Sequence, residues 1–274
     1  FSITYSFQVD GNAPVITGAS TSKTYYETSD FEVSATDSGS GLKNLYIKNP
    51  NATSFTACPN PCQITNGING LYSFYAVDNS GNESEIHYVY YDETPPTGVI
   101  TNSKGTTISS SYTNAQFFYS ATDADSGVKS IEWKTPLDNV WQDYPTEVLT
   151  LVSTNGTYYF RTRDNAGNYS SIKTMNYDTK APTMTLYTES GVVANGSVVS
   201  GEYIYYSANG TGTGVRSAYV LMPGATSYVA ASTSTQYLAS GKYSFYCYDY
   251  AGNRSSTYSV TLDNESPILS VEGA

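Results

Sequence analysis

Aspartate is the residue type that recurs at the most regular spacing in this sequence and that could do chemistry. Four aspartates each follow an apolar residue and stand four positions before a proline, at intervals of 82, 86 and 85 residues: Asp10, Asp92, Asp178 and Asp263. Three more stand 14 residues before the last three of these: Asp78, Asp164 and Asp249. Paired carboxylates can hydrolyse glycosides, and converging carboxylates can hold a divalent cation. Because these aspartates recur in turn-forming sequences, we interpret them as structural rather than catalytic.

Other residues that could carry catalysis are few. His87 is the only histidine, so neither a serine–histidine–aspartate triad nor a histidine metal cluster is favoured. Phosphate-binding loops, dinucleotide-binding glycine patterns and Cys-x-x-Cys pairs are absent from the sequence. We therefore expect a protein that is not an enzyme and that holds no cofactor, with calcium as the one exception considered below.

Three cysteines fall into two classes. Cys58 and Cys62 lie in the segment CPNPC, where two prolines favour a tight loop that could bring the sulfurs together. A local disulfide is the favoured interpretation, and two free thiols are the alternative. Cys247 aligns with Ala76 and Thr162 at a predicted core position, which indicates a buried thiol rather than a nucleophile.

The 28 tyrosines and two tryptophans raise the question of sugar binding, because exposed aromatic rings can stack on flat ligands. Alternating tyrosines are also typical of the core of a β-sandwich, and we favour that interpretation. Trp133 aligns with the apolar residues Ile47 and Val220 and is predicted to be core. Trp141 lies in a variable stretch, and it is the best single candidate for a contact with a ligand.

Repeated sequence blocks show which elements position these residues. One block recurs as SATDSGSGLKNLYI, SATDADSGVKSIEW and SANGTGTGVRSAYV, beginning at residues 34, 120 and 207. Another recurs as GLYSFYAVDNSGNES, GTYYFRTRDNAGNYS and GKYSFYCYDYAGNRS, beginning at residues 70, 156 and 241. Apolar residues alternate with polar ones in both, which predicts half-buried strands. The glycine of each Gly-Asn pair predicts a hairpin turn with a left-handed residue.

The blocks resemble the bacterial Ig-like repeats of large secreted and cell-surface proteins, which carry ATDxxSG and DNAGN signatures. The resemblance covers nearly the whole chain and implies an all-β fold of tandem immunoglobulin-like β-sandwich domains in an elongated array. Such modules serve as spacers, adhesin segments or accessory domains of secreted enzymes, so the fold alone does not give the function.

The repeat markers predict the domain boundaries. Residues 1–9 align with the last strand of a repeat, residues 263–274 open another, and three full repeats lie between them: 10–91, 92–177 and 178–262. We expect the chain to be part of a longer array. Linkers of a few residues, each with a proline, predict a rod of three sandwiches in line.

The fold predicts where the aspartates meet. In an Ig-like sandwich the chain entry, the B–C loop and the F–G loop lie at one pole, which brings together two sets of three: Asp10 with Asp37 and Asp78, and Asp92 with Asp123 and Asp164. Three neighbouring carboxylates need a cation, a proton or donor groups, and calcium suits such an oxygen-rich site. The favoured alternative is that each aspartate accepts hydrogen bonds from the amides of its own turn. Gly210 replaces the B–C aspartate in the third repeat.

Charge narrows the range of partners. The formal net charge is −11, and the 13 lysines and arginines are scattered, which argues against nucleic acid and against anionic membranes. The sequence predicts an extracellular structural or adhesive array, such as a surface stalk or adhesin segment. Its expected partners are neighbouring repeats, a host or glycan ligand, or other copies of the chain. The alternatives are accessory modules of a secreted polysaccharide-active enzyme and a subunit of a surface layer, sheath or phage assembly.

Overall fold

A computed structural model describes residues 9–24, 26–144, 152–201 and 203–268. These residues form 23 β-strands and no helix, so the described chain also contains no helix that could cross a membrane. The strands group into three similar pairs of sheets that follow one another along the sequence. Of the predicted flanking segments, 1–9 and 263–274, residues 1–8 and 269–274 lie outside the described residues.

The first pair of sheets contains eight strands: β1 Val15–Thr17, β2 Tyr26–Glu27, β3 Phe31–Thr36, β4 Leu42–Lys48, β5 Thr56–Cys58, β6 Cys62–Ile64, β7 Gly70–Asp78 and β8 His87–Tyr91. One sheet has the order β1-β3-β6, and the other has the order β2-β8-β7-β4-β5. All pairs are antiparallel except β2 with β8, which are parallel.

The second pair of sheets contains seven described strands: β9 Thr97–Asn102, β10 Tyr112–Thr113, β11 Phe117–Thr122, β12 Val128–Lys134, β13 Gln142–Asp143, β14 Gly156–Asp164 and β15 Lys173–Tyr177. Their orders are β11-β9 and β10-β15-β14-β12-β13, and β10 runs parallel to β15. The five-stranded sheet therefore has the same topology as its counterpart in the first repeat.

The third pair of sheets contains eight strands: β16 Thr183–Thr188, β17 Gly191–Val193, β18 Ser197–Val199, β19 Tyr205–Asn209, β20 Val215–Leu221, β21 Val229–Ala231, β22 Gly241–Asp249 and β23 Tyr258–Leu262. Their orders are β17-β16-β19 and β18-β23-β22-β20-β21, with β18 parallel to β23.

Each pair of sheets encloses its own hydrophobic core. The period-two pattern of β7 places Tyr72, Phe74 and Ala76 between the sheets, all at most 3% exposed. Burying side chains on alternate positions of facing sheets is what holds a β-sandwich together. The aligned residues of β14 and β22 are buried in the same way, and Cys247 is among them at 0% exposed. The predicted fold class, tandem immunoglobulin-like β-sandwiches, is confirmed.

The turn after the longest strand of each repeat has the predicted backbone. Gly81, Gly167 and Gly252 have φ values of 95°, 112° and 97°, a region that disfavours residues with a Cβ atom. The amides of Gly81 and Gly252 donate to the carbonyl oxygen of the aspartate that ends the strand, both at 3.3 Å, and the amide of Gly167 donates to Oδ1 of Asp164. The turn therefore fixes the aspartate at the pole of the sandwich.

Candidate functional site

The aspartates between successive repeats lie at the centre of a hydrogen-bond network. Asp92 is fully buried. Its Oδ1 accepts hydrogen bonds from the side-chain amide of Asn69 at 3.2 Å and from the backbone amide of Thr94 at 2.9 Å. Its Oδ2 accepts a hydrogen bond from the backbone amide of Ser126 at 3.0 Å. Asn69 belongs to the first repeat and Ser126 to the second, so one carboxylate ties both repeats to the linker.

The second junction repeats this arrangement. Asp178 is 3% exposed, and its Oδ1 accepts a hydrogen bond from Asn155 in the second repeat at 3.0 Å. Its Oδ2 accepts two hydrogen bonds from Thr213 in the third repeat, one from the backbone amide at 2.8 Å and one from the hydroxyl at 3.2 Å. Hydrogen bonds to a charged, buried acceptor are stronger than neutral ones.

An asparagine locks each linker from the other side. The side-chain amide of Asn168 donates to the carbonyl oxygen of Asp92 at 2.9 Å and to Oδ2 of Asp164 at 2.8 Å. The equivalent donors to the linker carbonyl are Asn82 at 3.0 Å and Asn253 at 2.7 Å. We refer to Asn82, Asn168 and Asn253 as the clasp asparagines. Each joins the linker to the strand-end aspartate of the repeat that follows it.

The predicted aspartate sets do converge. One carboxylate oxygen from each of Asp10, Asp37 and Asp78 lies within 4.8 Å of the other two. The same is true of the second set, which contains Asp92, Asp123 and Asp164. We call these two sets the aspartate trios. Their all-oxygen donor set fits calcium in type.

Hydrogen bonds already serve both trios, as the alternative interpretation expected. Asp123 accepts hydrogen bonds from the amides of Asp125 and Gly127, at 3.2 and 2.7 Å, within its own turn. Asp37 does the same with Gly39 and Gly41, at 3.1 and 2.7 Å. These donors relieve part of the repulsion between the carboxylates. Calcium binding therefore stays a prediction.

Donor groups also lower the pKa of two carboxylates in the first trio. The backbone amide of Ser40 is the main cause for Asp10, followed by the amide of Asn12. For Asp78, burial raises the pKa, but hydrogen bonds from Asn82, Gly81 and Ser40 outweigh that effect and the net pKa falls. Both groups are therefore held in the charged form.

The two junctions differ in the side chains that lie between the repeats. At the first, the hydroxyl of Tyr90 donates to the carbonyl oxygen of Asp125 at 3.0 Å, and Asn69 donates to the Asp125 carboxylate at 2.7 Å. Asn176 and Gly212 stand at the Tyr90 and Asp125 positions of the second junction. They line a cleft of about 270 Å³ between the second and third repeats.

Contacts outside this cleft also join the second and third repeats. The side-chain amide of Asn114 donates to Oδ1 of Asn253 at 3.1 Å. The rings of Tyr112 and Tyr250 lie 5.5 Å apart. The second junction therefore keeps the aspartate and asparagine bonds of the first, and the contacts of Asn114 and Tyr112 add to them where those of Tyr90 and Asp125 are missing.

Trp141, the predicted ligand contact, lies on the outer face of the five-stranded sheet of the second repeat and is half-buried. The guanidinium carbon of Arg161 lies 4.3 Å from its ring centre, and Lys134 Nζ lies 5.1 Å away. Arg161 also lies 4.4 Å from the ring of Tyr169 and forms a 2.6 Å salt bridge with Glu132. Cations of the same chain thus lie against the ring, and the sugar contact stays a prediction.

In the other two repeats, aromatic pairs on the outer face occupy the positions that Glu132 and Arg161 hold in the second repeat. Tyr46 and Tyr75 stack with ring centres 4.8 Å apart and an angle of 8° between planes. Tyr219 and Tyr246 stack at 5.2 Å. Cross-strand pairs of this kind stabilise a sheet, and here they also cover one another's faces.

The remaining candidate residues from the sequence are not part of the aspartate trios. Nδ1 of His87 donates to the carbonyl oxygen of Glu85 at 3.2 Å, not to a serine or an aspartate. Cys58 and Cys62 lie together at one edge of the first sandwich, far along the chain from Cys247. Trp133 packs against the core of the second repeat, as expected.

Sequence reasoning missed the asparagines that hold the junctions. A signal for them exists, because the clasp asparagines stand four residues after the strand-end aspartate in all three repeats. Asn69 and Asn155 likewise stand one residue before the glycine that opens the longest strand.

Comparisons with known proteins found structural neighbours of low similarity. No protein-family model and no curated protein matches the chain. Fibronectin(III)-like modules of Clostridium thermocellum CbhA are 17% identical, with 61% of this chain and 94% of theirs covered and a TM-score of 0.31. A 1.5-MDa bacterial ice-binding adhesin structure is 15% identical, with 93% and 100% covered and a TM-score of 0.26. Sidekick-1 immunoglobulin domains 1–5 are 11% identical, with 93% and 59% covered and a TM-score of 0.34.

Proposed function

We propose that this chain is a non-catalytic spacer of an extracellular surface protein, in which bonded junctions hold successive repeats in line. The observation that carries the proposal is the pair of linker aspartates. Asp92 and Asp178 each accept hydrogen bonds from the repeat before and the repeat after, and both are almost fully buried. A flexible tether would leave its linker groups to water.

The two linkers are short as well as bonded. β8 ends at Tyr91 and β9 begins at Thr97, while β15 ends at Tyr177 and β16 begins at Thr183. Each linker contains a proline, which fixes one backbone dihedral. Short, stiff and hydrogen-bonded linkers transmit the orientation of one repeat to the next, which is what a spacer requires.

The outer faces of the sheets fit the same role. Stacked tyrosines in the first and third repeats, and the Arg161 stack in the second, use aromatic surface for contacts within the chain. The acidic net charge keeps such a surface soluble and repels similar chains.

Small-angle scattering of the whole chain tests the proposal. Strands of about 8–10 residues at roughly 3.3 Å per residue give a repeat of about 30 Å, so three in line span about 90 Å or more. We expect a rod-like distance distribution of that length. A compact particle would overturn the proposal, as would a broad distribution typical of independent beads on a string.

A glycan panel probes the adhesive alternative. If the chain binds a glycan of the panel and Trp141→Ala abolishes that binding, the second repeat has a binding role and a purely spacing function is overturned. A matched control is Trp133→Phe, which changes a core aromatic residue of the same repeat and leaves the outer face intact.

A further inference from the structure

Cys58 and Cys62 lie on edge strands of two different sheets. Cys58 pairs with Leu45 between β5 and β4, in the five-stranded sheet. Cys62 pairs with Val33 between β6 and β3, in the three-stranded sheet. Leu45 and Val33 are core residues at 1% and 0% exposure, so residues directly opposite them also face the space between the sheets. The two cysteines therefore face one another across the open edge of the sandwich.

The two side chains also interact with each other. Their interaction raises the pKa of Cys58 and lowers that of Cys62. Cys62 is 4% exposed and Cys58 is half-buried, and both belong to the first hydrophobic core. Burial limits how far either side chain can turn away.

The loop between the cysteines is held in place by a third group. The side chain of Asn60 accepts a hydrogen bond from the backbone amide of Ala35 at 2.9 Å and donates one to its carbonyl oxygen at 2.8 Å. These two bonds continue the β3–β6 pairing by one further step. The position of the loop therefore does not depend on a link between the sulfurs, which pre-organises the pair for oxidation.

The third repeat provides a contrast within the same chain. Ala231 occupies the position of Cys58, opposite Ala218. Thr235 occupies the position of Cys62, but it is exposed, and the only pairing of this segment is an isolated bridge between Ile204 and Tyr237. This segment forms an edge strand in the first repeat, where the second cysteine is present, and does not form one in the third.

We propose that Cys58 and Cys62 form a disulfide that links the two sheets of the first sandwich at their open edge. The oxidant is an external disulfide, either glutathione disulfide or an oxidised dithiol oxidoreductase. One cysteine thiolate attacks that disulfide and forms a mixed disulfide, releasing one reduced sulfur. The second cysteine thiolate then attacks the cysteine sulfur of the mixed disulfide and releases the other. The pair loses two protons and two electrons, and the oxidant gains them.

Cys247 does not compete for this bond. It is 0% exposed in the core of the third repeat. Its backbone amide donates a hydrogen bond to the hydroxyl of Ser255 at 3.0 Å. Burial raises the pKa of its thiol, which keeps it protonated and unreactive at neutral pH. The proposal is also independent of the spacer function, because it requires only an oxidising surrounding.

Differential alkylation of the whole chain tests the bond. The chain is equilibrated with glutathione disulfide, alkylated with iodoacetamide, then denatured, reduced and labelled with N-ethylmaleimide. We expect Cys58 and Cys62 to carry only the second label and the non-reduced peptide to be 2 Da lighter. Carbamidomethyl groups on both residues after oxidation would overturn the proposal, and so would a Cys58-linked dimer.

Hydrogen exchange tests whether the bond links the sheets. Closing a five-residue loop removes less chain entropy than closing a long one, and we expect reduction to lower the melting temperature of the first repeat by roughly 5–10 °C. Amides of β6 should exchange faster after reduction, while those of β14 and β22 should not change. The double variant Cys58→Ser/Cys62→Ser should show the melting temperature and β6 exchange of the reduced chain, with or without reductant. Cys247→Ala should still show the change on reduction. Equal exchange of β6 in the oxidised and reduced chains would refute the link.

Discussion

Replacing the clasp asparagine of the first junction, Asn168→Ala, should loosen the second repeat and its linker together. The substitution removes the hydrogen bonds to Oδ2 of Asp164 and to the carbonyl oxygen of Asp92. Asp164 and Asp92 are both fully buried, so water cannot easily replace the lost donors. A carboxylate oxygen is then left without its side-chain donor inside the protein.

The magnitude follows from the two bonds. A hydrogen bond to a charged group contributes about 1.5–3 kcal/mol and one to a neutral carbonyl about 0.5–1.5 kcal/mol. The expected loss is therefore about 2–4 kcal/mol. For a domain of this size that corresponds to a fall in melting temperature on the order of 10–20 °C.

Asn165→Ala is the matched control in the same turn. Its side-chain amide donates only to the carbonyl oxygens of Ser126 and Gly127, at 2.8 and 3.2 Å, and no carboxylate depends on it. Each of these bonds to a neutral carbonyl contributes about 0.5–1.5 kcal/mol and Asn165 is half-buried, so we expect a loss of about 1–2 kcal/mol, smaller than that of Asn168→Ala.

Urea unfolding followed by hydrogen exchange measures both effects. In Asn168→Ala, amides near Asp92 should lose protection along with those of β14. In Asn165→Ala, the linker should stay protected. The reasoning is refuted if the two variants lose the same stability, or if Asn168→Ala leaves exchange near Asp92 unchanged.

Two further predictions concern the aspartate trios. Asp123→Asn keeps an oxygen for its turn amides but removes one of three like charges, so in chelator we expect it to melt above the wild type, while in millimolar calcium the wild type should melt higher. Identical melting temperatures of the two chains in both conditions would contradict both effects. The second junction, where Asp178 and Asp249 have Gly210 beside them in place of a third aspartate, should gain less stability from calcium. The lowered pKa values of Asp10 and Asp78 stabilise the folded first repeat above pH 3.8, and this stabilisation should vanish as the pH falls through the lowered folded values. Thermal melts between pH 2 and about 5 should show a smaller slope for Asp78→Asn, and an unchanged slope would count against the assignment.

Much of the fold could be predicted because alternation of apolar residues sets both faces of a strand. Alternation predicts that the shared position of Ala76, Thr162 and Cys247 is core, and all three residues are buried. The convergence of Asp92, Asp123 and Asp164 followed from the topology of an Ig-like sandwich. These features depend on local pattern and on strand order, which the repeats display three times.

The parts that were missed depend on how one repeat sits on the next. Asn69 reaches Asp92 and Asp125 across the first junction, a contact that no period within a strand encodes. The contacts of the Trp141 ring could not be predicted from the sequence either. It depends on Arg161, which replaces the Tyr75 of the first repeat, and a single substitution of this kind has no repeating signal.

The parallel pairing of β10 with β15 has a mechanical consequence. Tyr112 and Thr113 pair with Asn176 and Tyr177, at the end where the chain leaves the second sandwich. Because the two strands point the same way, a pull on the two ends of the repeat slides them past one another and loads their hydrogen bonds at the same moment. An antiparallel pair at the same place would open one bond at a time. The first and third repeats share this pairing through β2 with β8 and β18 with β23, so an array under flow or tension would resist extension in every repeat.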